Sequence, residues 1–206
     1  MPNRLTKDIS LVILICFVSL IIPLLPSEHS FLSLADEQNT ERGKKGHNFS
    51  LGDCSVTLLK NREYFPVLSA AIDNARKEIM ISFFLFKTDA YPHNYPTIIM
   101  EHLIEAAGRG VKAVVILEKG TDDSSGVNAH NQDTMVKLKK GGVEVYFDSI
   151  QTTTHTKLVV IDRRYTFVGS HNLTHSALKY NNELSVLIDS APVAEDAASY
   201  INSLYP

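Results

Sequence analysis

Along residues 51–206 the apolar positions fall into blocks whose period switches between that of a helix and that of a buried strand. Phe65, Leu68, Ala71, Ile72 and Ala75 recur at helical spacing and predict a helix over 63–77. Residues 79–86 then run apolar for the length of a strand, as expected where both faces of a sheet are covered. The alternation continues with a loop over 88–96 that holds Pro92 and Pro96, and a helix over 97–107 closed by Gly108-Arg109-Gly110. A strand over 111–117, a polar loop over 119–128, a helix over 132–140 closed by Gly141-Gly142 and a strand over 143–147 follow. Strands at 157–162 and 165–168 flank a tight turn at Asp162-Arg163-Arg164 and read as a hairpin. A short strand at 55–59, one more at 184–188 and a closing helix at 191–204 complete the pattern. Strands that alternate with helices and end in a hairpin predict an α/β fold, a mixed β-sheet flanked by helices on both faces.

The first fifty residues are patterned differently. Residues 9–25 are apolar apart from Ser10 and Ser19, with Pro23 near their end and no amphipathic stripe that would suit a buried helix. Arg4 and Lys7 precede this run, as in a signal peptide or signal anchor over 1–26. Its length lies near the lower limit for a membrane span. Ser33 and Ala35 offer a cleavage site at some distance, whereas Ile13-Leu14-Ile15 lacks the small residue a lipoprotein site needs before Cys16. Glu28, Asp36 and Glu37 follow the run, so the N-terminus is expected to stay in the cytoplasm. The rest of the chain is then exported: periplasmic, extracellular, or membrane-attached through residues 9–25 with its domain outside. Residues 27–50, with Glu41-Arg42-Gly43-Lys44-Lys45-Gly46, form a polar linker with no core of their own, and the folded domain occupies 51–206.

Composition narrows the classes. With 44% apolar and 21% charged residues among 206, the chain can bury a proper core. A net charge of −3 is unlike a protein that binds nucleic acid through its whole surface, so any such binding needs a local patch. Arg163, Arg164, Lys179 and the lysines of 137–140 are candidates for a basic rim, although solvated surface charge accounts for most of them. Cys54 is the one thiol of the folded part, which excludes an intramolecular disulfide there and reads as a small buried apolar residue. No Cys/His spacing fits structural zinc.

The chemistry gathers in eighteen positions: His155-Thr156-Lys157, then Asp162, then Gly169-Ser170-His171-Asn172. Side chains alternate along a strand, so His155 and Lys157 share a face. Asp162 has the opposite parity and sits at the turn, where a carboxylate accepts backbone N–H bonds. It is read as holding the hairpin or the surroundings of the lysine. Gly169-Ser170 permits close backbone approach, and Asn172 falls where a helix or turn begins, with exposed N–H groups that favour an anion. Imidazole, ammonium, hydroxyl and amide around one such corner suit a phosphoryl group.

This HxK(x)4D(x)6GSxN pattern resembles the HKD motif of the phospholipase D superfamily and matches it at every fixed position. Glu183, in Asn181-Asn182-Glu183, stands where that family has a glutamate orienting the catalytic histidine, and Arg109-Gly110-Val111-Lys112 is also similar. The resemblance covers about residues 52–206. It implies a catalytic set of His155, Lys157, Asp162 and Glu183, with His155 attacking phosphorus to give a phosphohistidine. It implies that Lys157, Ser170 and Asn172 bind the phosphate, that Glu183 fixes the imidazole tautomer, and that no metal or other cofactor is used.

A second histidine is needed to protonate the leaving oxygen. The chain holds one HKD motif; His130, His171 and His175 lack the HxK context of another. Single-motif members pair two chains, so the resemblance implies a homodimer about a two-fold axis. The mitochondrial-surface members often carry a Cys/His zinc element absent here, which turns the resemblance towards the small bacterial exported group. The resemblance implies a phosphodiester substrate, phospholipid or nucleic acid, hydrolysed by phospholipase D-like or endonuclease action. A phosphatidyl transferase and a non-catalytic phosphate-binding member are the alternatives.

Overall fold

The structure, a computed structural model, describes residues 54–89, 93–120 and 126–205. The expected signal segment and linker, and parts of the loops at 88–96 and 119–128, lie outside the described residues. No helix among the described residues is long and apolar enough to cross a membrane.

Seven strands form one mixed sheet: β1 (Ser55–Lys60), β2 (Glu78–Phe83), β3 (Lys112–Leu117), β4 (Glu144–Phe147), β5 (Lys157–Ile161), β6 (Tyr165–Gly169) and β7 (Leu184–Asp189). Their order across the sheet is β1-β7-β6-β5-β2-β3-β4. β2, β3 and β4 run parallel, and every other neighbouring pair is antiparallel. The helices are α1 (Tyr64–Asn74), α2 (Tyr95–Gly108), α3 (Val127–Lys140), α4 (His175–Lys179) and α5 (Ala191–Asn202).

Strand alternation divides the core in two. Ile79, Ile81, Phe83, Val115, Leu117, Val159 and Phe167 point to one face and pack with Leu68, Ile72, Leu103, Met135, Leu138 and Leu178 of α1–α4. Met80, Val114, Ile116, Leu158 and Val160 point to the other and pack with Ala194, Ala198 and Ile201 of α5. Each large side chain sealed in this way contributes about 1.5–3 kcal/mol of transfer free energy. The α/β fold with helices on both faces is the one the patterning predicts.

Boundaries differ where a side chain intervenes. α1 stops at Asn74 rather than 77 because the next amides, those of Arg76, Lys77 and Glu78, are taken by the Asp162 carboxylate. α2 starts at Tyr95, inside the expected loop: Asn94 caps it by accepting the Thr97 N–H, and Pro96 occupies its first turn, where a missing N–H costs nothing. α3 begins five residues early, at Val127, after Gly126 in the left-handed region; its polar first turn hid it. The short α4 begins at His175, three residues after the helix or turn start expected at Asn172. Cys54 is half-buried rather than a sealed core residue.

Candidate active site

β5 is buried along its whole length at the centre of the sheet, and the site is assembled where the chain enters it. Thr156 continues the pairing with β2 one step past the ladder. The Phe84 N–H donates to its carbonyl at 3.0 Å, and its hydroxyl donates to the Ser82 carbonyl at 3.0 Å. His155 therefore leaves the sheet on the same side as Lys157, as parity requires. Its imidazole lies 4.7 Å from the Phe84 ring, which also faces the Lys157 ammonium at 5.3 Å. Lys157 Nζ stands 3.2 Å from His155 Nδ1 and donates to the His155 carbonyl at 3.0 Å. Burial lowers the pKa of this amine, while the negative charge of Glu183 works in the opposite direction.

The second strand of the hairpin brings the remaining groups. Gly169 is required by close approach: a Cβ there would lie 2.6 Å from the Leu184 carbonyl oxygen and closer still to Ser185 Cα. That contact seats Ser170 against the start of β7. Its N–H donates to the Leu184 carbonyl at 3.1 Å, its Oγ accepts the Leu184 N–H at 3.1 Å, and its hydroxyl donates to Glu183 Oε2. Glu183 Oε1 accepts from the Asn181 amide at 3.1 Å. Within one chain the Glu183 carboxylate is thus engaged by Ser170 and Asn181, not by the His155 ring expected from the resemblance.

Asn172 lies between two backbone tethers. The next residue, Leu173, donates its N–H to Leu85 at 3.1 Å and accepts that of Lys87 at 2.9 Å. The Leu173 amide is therefore not available to an anion, and α4 begins later still, capped by Thr174. The helix-start contribution expected at Asn172 is absent. What Asn172 does present is its side chain, whose Oδ1 is buried without a partner.

His171 is structural. It is fully buried, stacked at 4.4 Å on Tyr64, and bonded through Nε2 to the Asn61 carbonyl at 2.8 Å and through Nδ1 to Ser185 Oγ at 2.7 Å. A carbonyl only accepts, so Nε2 carries the proton and Nδ1 accepts from the serine. Burial lowers its pKa and keeps the ring neutral.

Asp162 lies at the other end of β5, about 16 Å along the strand from Lys157. It and Arg163 adopt left-handed backbone, with φ of 53° and 54°, which closes the hairpin. Its carboxylate accepts the N–H groups of Arg76 at 2.9 Å, Lys77 at 2.7 Å and Glu78 at 3.1 Å. It makes no contact with His155 or Lys157.

Half of the basic rim anticipated from sequence is neutralised. Arg163 pairs with Glu78 and Glu195, Arg164 with Asp189 and Lys137 with Asp133. Lys179, anticipated in that rim, joins two cations that were not. Lys60, Arg62 and Lys179, with one acid, Glu63, and with Asn61, Tyr180, Asn181 and Asn182, line a polar cleft of about 400 Å³ next to Glu183. Arg62 Nε holds its wall by donating to the Lys179 carbonyl at 3.0 Å. Only the pairing of β1 with β7 brings Lys60 and Arg62 there, and nothing in their local sequence signals it.

Among the described residues one trio has metal-ligand geometry: Asp73, His102 and Glu105, whose ligand atoms lie within 4.8 Å of one another. It sits between α1 and α2, towards the end of the sheet that Asp162 occupies.

A family profile described as "Cardiolipin synthase, PLD-like domain" matches residues 68–205, which contain the whole constellation. The chain belongs to the phospholipase D superfamily. Phospholipase D of Rickettsia bellii (strain RML369-C) is 28% identical over 127 residues, covering 60% of this chain and 55% of that protein. Cardiolipin synthase A of Pseudomonas aeruginosa is 29% identical over 135 residues, 60% of this chain but 26% of the synthase. The chain thus aligns with about half of the first relative, and with less of the second. Among solved structures, the phospholipase D family member Nuc from Salmonella typhimurium superposes with a TM-score of 0.61 at 23% identity, covering 73% of this chain and 93% of Nuc. At that identity the likeness establishes the phospholipase D fold alone.

Proposed function

We propose that the chain is a phosphodiester hydrolase that works through a phosphohistidine at His155. The observation that carries the proposal is the Lys157 ammonium, 3.2 Å from His155 Nδ1 and 3.3 Å from His155 Nε2. His155 nitrogen attacks phosphorus as the bond to the leaving oxygen breaks. Lys157 and Asn172 donate to the non-bridging oxygens, where charge accumulates. The partner's His155 gives its proton to the leaving oxygen, then takes one from the water that cleaves the P–N bond and frees the phosphomonoester.

Support for the second copy comes from the face that α5 leaves open. Val56 and Leu58 of β1, Val168 of β6 and Leu184 of β7 project from it with exposures of 59%, 54%, 39% and 54%. Register puts them side by side, Leu58 opposite Val186 and Val168 also opposite Val186. This apolar surface ends at Gly169, Ser170 and Glu183, so a copy docked on it meets the site.

Within phosphodiesters, the Lys60–Arg62–Lys179 cleft beside Glu183 favours a nucleic-acid strand: its cations track a backbone and Tyr180, 65% exposed, offers a stacking surface. A phospholipid is the second reading, favoured by the names of the relatives and by attachment through residues 9–25, which would hold the domain against a membrane outside the cytoplasm. One experiment tests both. Single-stranded DNA, double-stranded DNA and phosphatidylcholine vesicles are assayed side by side in EDTA with wild-type and His155→Ala chains. Cleavage of the DNA alone, lost in His155→Ala, is expected; cleavage that survives the substitution overturns the assignment.

A further inference from the structure

Two carboxyl groups without an assigned task stand together under the loop that carries His155. Glu118 follows the last residue of β3 and Asp148 the last residue of β4. These strands are parallel, with Leu117 opposite Phe147, and the ladder runs one bond further, from the Asp148 N–H to the Leu117 carbonyl at 3.1 Å. Both side chains are delivered to the same, carboxyl-terminal end of the sheet. There they are sealed from water, Glu118 at 3% exposure and Asp148 at 8%. Among the described residues neither is paired with a cation.

What they hold is a peptide. The Thr154 N–H donates to Glu118 Oε2 at 2.5 Å and to Asp148 Oδ2 at 3.1 Å, while Asp148 Oδ1 accepts the Lys119 N–H at 3.0 Å. Because Glu118 Oε2 and Asp148 Oδ2 accept the same N–H, the two carboxyl groups face each other across it. Burial raises the Glu118 carboxyl to about 7, the Asp148 hydrogen bond and charge add to the rise, and the Thr154 N–H opposes it. Thr154 is the residue before His155. On the other side of His155, Thr156 is tied to Phe84 and Ser82 by bonds that do not titrate. The nucleophile is strung between a fixed anchor and an ionisable one.

We propose that Glu118 and Asp148 form a carboxyl clamp that positions the His155 peptide by holding the Thr154 N–H between them. The proposal rests on the reading of His155 as the nucleophile. The Thr154 N–H favours the ionised form of Glu118, since a carboxylate accepts an N–H more strongly than a carboxylic acid does. Among the described residues the groups around Glu118 are few. Asp148 comes from the end of β4, and Lys119, next in the chain, has its ammonium over the Phe147 ring at 5.1 Å. His155 lies one residue past Thr154, and from α3 the neighbour is neutral Asn131, whose amide donates to the Glu118 carbonyl at 2.9 Å. Glu118 and Asp148 touch no reacting atom; they are positioning residues.

The test follows the Thr154 amide by 1H–15N NMR from pH 5 to 9 in the full chain, beside kcat and KM for bis(p-nitrophenyl) phosphate. In the wild type the Thr154 signal is expected to move with a midpoint near 7. Glu118→Gln, which keeps an acceptor in place and removes the titrating group, should abolish that transition. Glu118→Leu should lower kcat at least tenfold with KM within twofold; if it does not fold, the Gln variant and the amide signal decide. A wild-type Thr154 signal that does not move, or moves identically in Glu118→Gln, overturns the clamp. A chain with the Glu118-dependent transition that cleaves no phosphodiester overturns the proposed function and, with it, the link to turnover.

Discussion

Lys157 Nζ lies 3.2 Å from His155 Nδ1, 3.3 Å from His155 Nε2 and 3.0 Å from the His155 carbonyl oxygen, so one ammonium lies against both the ring and the peptide of the same residue. A cation in that position serves the phosphoryl oxygens and the orientation of the nucleophile together. Replacing Lys157 by Met keeps most of the buried stem and removes the charge. We expect kcat on bis(p-nitrophenyl) phosphate to fall by about 10²–10³, the scale of losing one preorganised donor. His155→Ala should leave no measurable turnover in the same assay.

Asp162 accepts three consecutive backbone N–H groups that belong neither to α1 nor, fully, to β2. Asp162→Ala strands these donors in a crowded turn and leaves a non-glycine residue at φ 53°. The loss should be about 2–4 kcal/mol in urea unfolding. Asp162→Asn, which keeps an acceptor and tolerates left-handed backbone, should lose less. An Ala variant as stable as wild type would remove the structural account of this motif position.

The open half of the sheet gives a third expectation. Leu58→Glu combined with Leu184→Glu places charge on side chains already more than half exposed, at 54% each, so each chain should unfold within about 1 kcal/mol of wild type. Sedimentation should nevertheless show monomers, and activity should drop with the dimer. Monomers with full turnover would refute the shared site.

Stability should depend on pH through Glu118. Its folded carboxyl is raised from 4.5 to about 7, so below 4.5 folded and unfolded chains both hold the proton and the group costs nothing. From 4.5 to about 7 only the unfolded chain releases it, folding then takes up a proton, and stability falls as pH rises through this window before levelling off. Thermal melts across pH 4–8 should show this decline in the wild type and a shallower one in Glu118→Gln. Equal slopes in both would discard the assignment.

Much of the fold is visible in the periodicity because strands covered on both faces, such as β2, β3 and β5, must be continuously apolar. The His155–Lys157 pairing is equally legible, since strand parity alone puts the two side chains together. The rest depends on partners distant in sequence. Glu118 and Asp148 look like ordinary polar residues at the ends of apolar strands until β3 and β4 align them. Arg163 and Arg164 look like a free basic pair until Glu78, Glu195 and Asp189 arrive from other elements. Lys60 and Arg62 lie more than a hundred residues before Glu183, and only the β1–β7 pairing makes them neighbours.

That pairing joins the first described strand of the domain to the last. Asn61, directly after β1, binds Glu183 in both directions, N–H to carbonyl at 2.9 Å and side chain to N–H at 2.8 Å, and its own carbonyl takes the buried His171 proton. A chain that emerges in order can build β2, β3 and β4 early, yet it cannot lock Glu183 and Ser170 until β7 has arrived. Such long-range closure is slow, and the nucleophile's surroundings are among the last things to set. An incomplete chain, or one held extended, would therefore carry every residue of the motif and remain chemically silent.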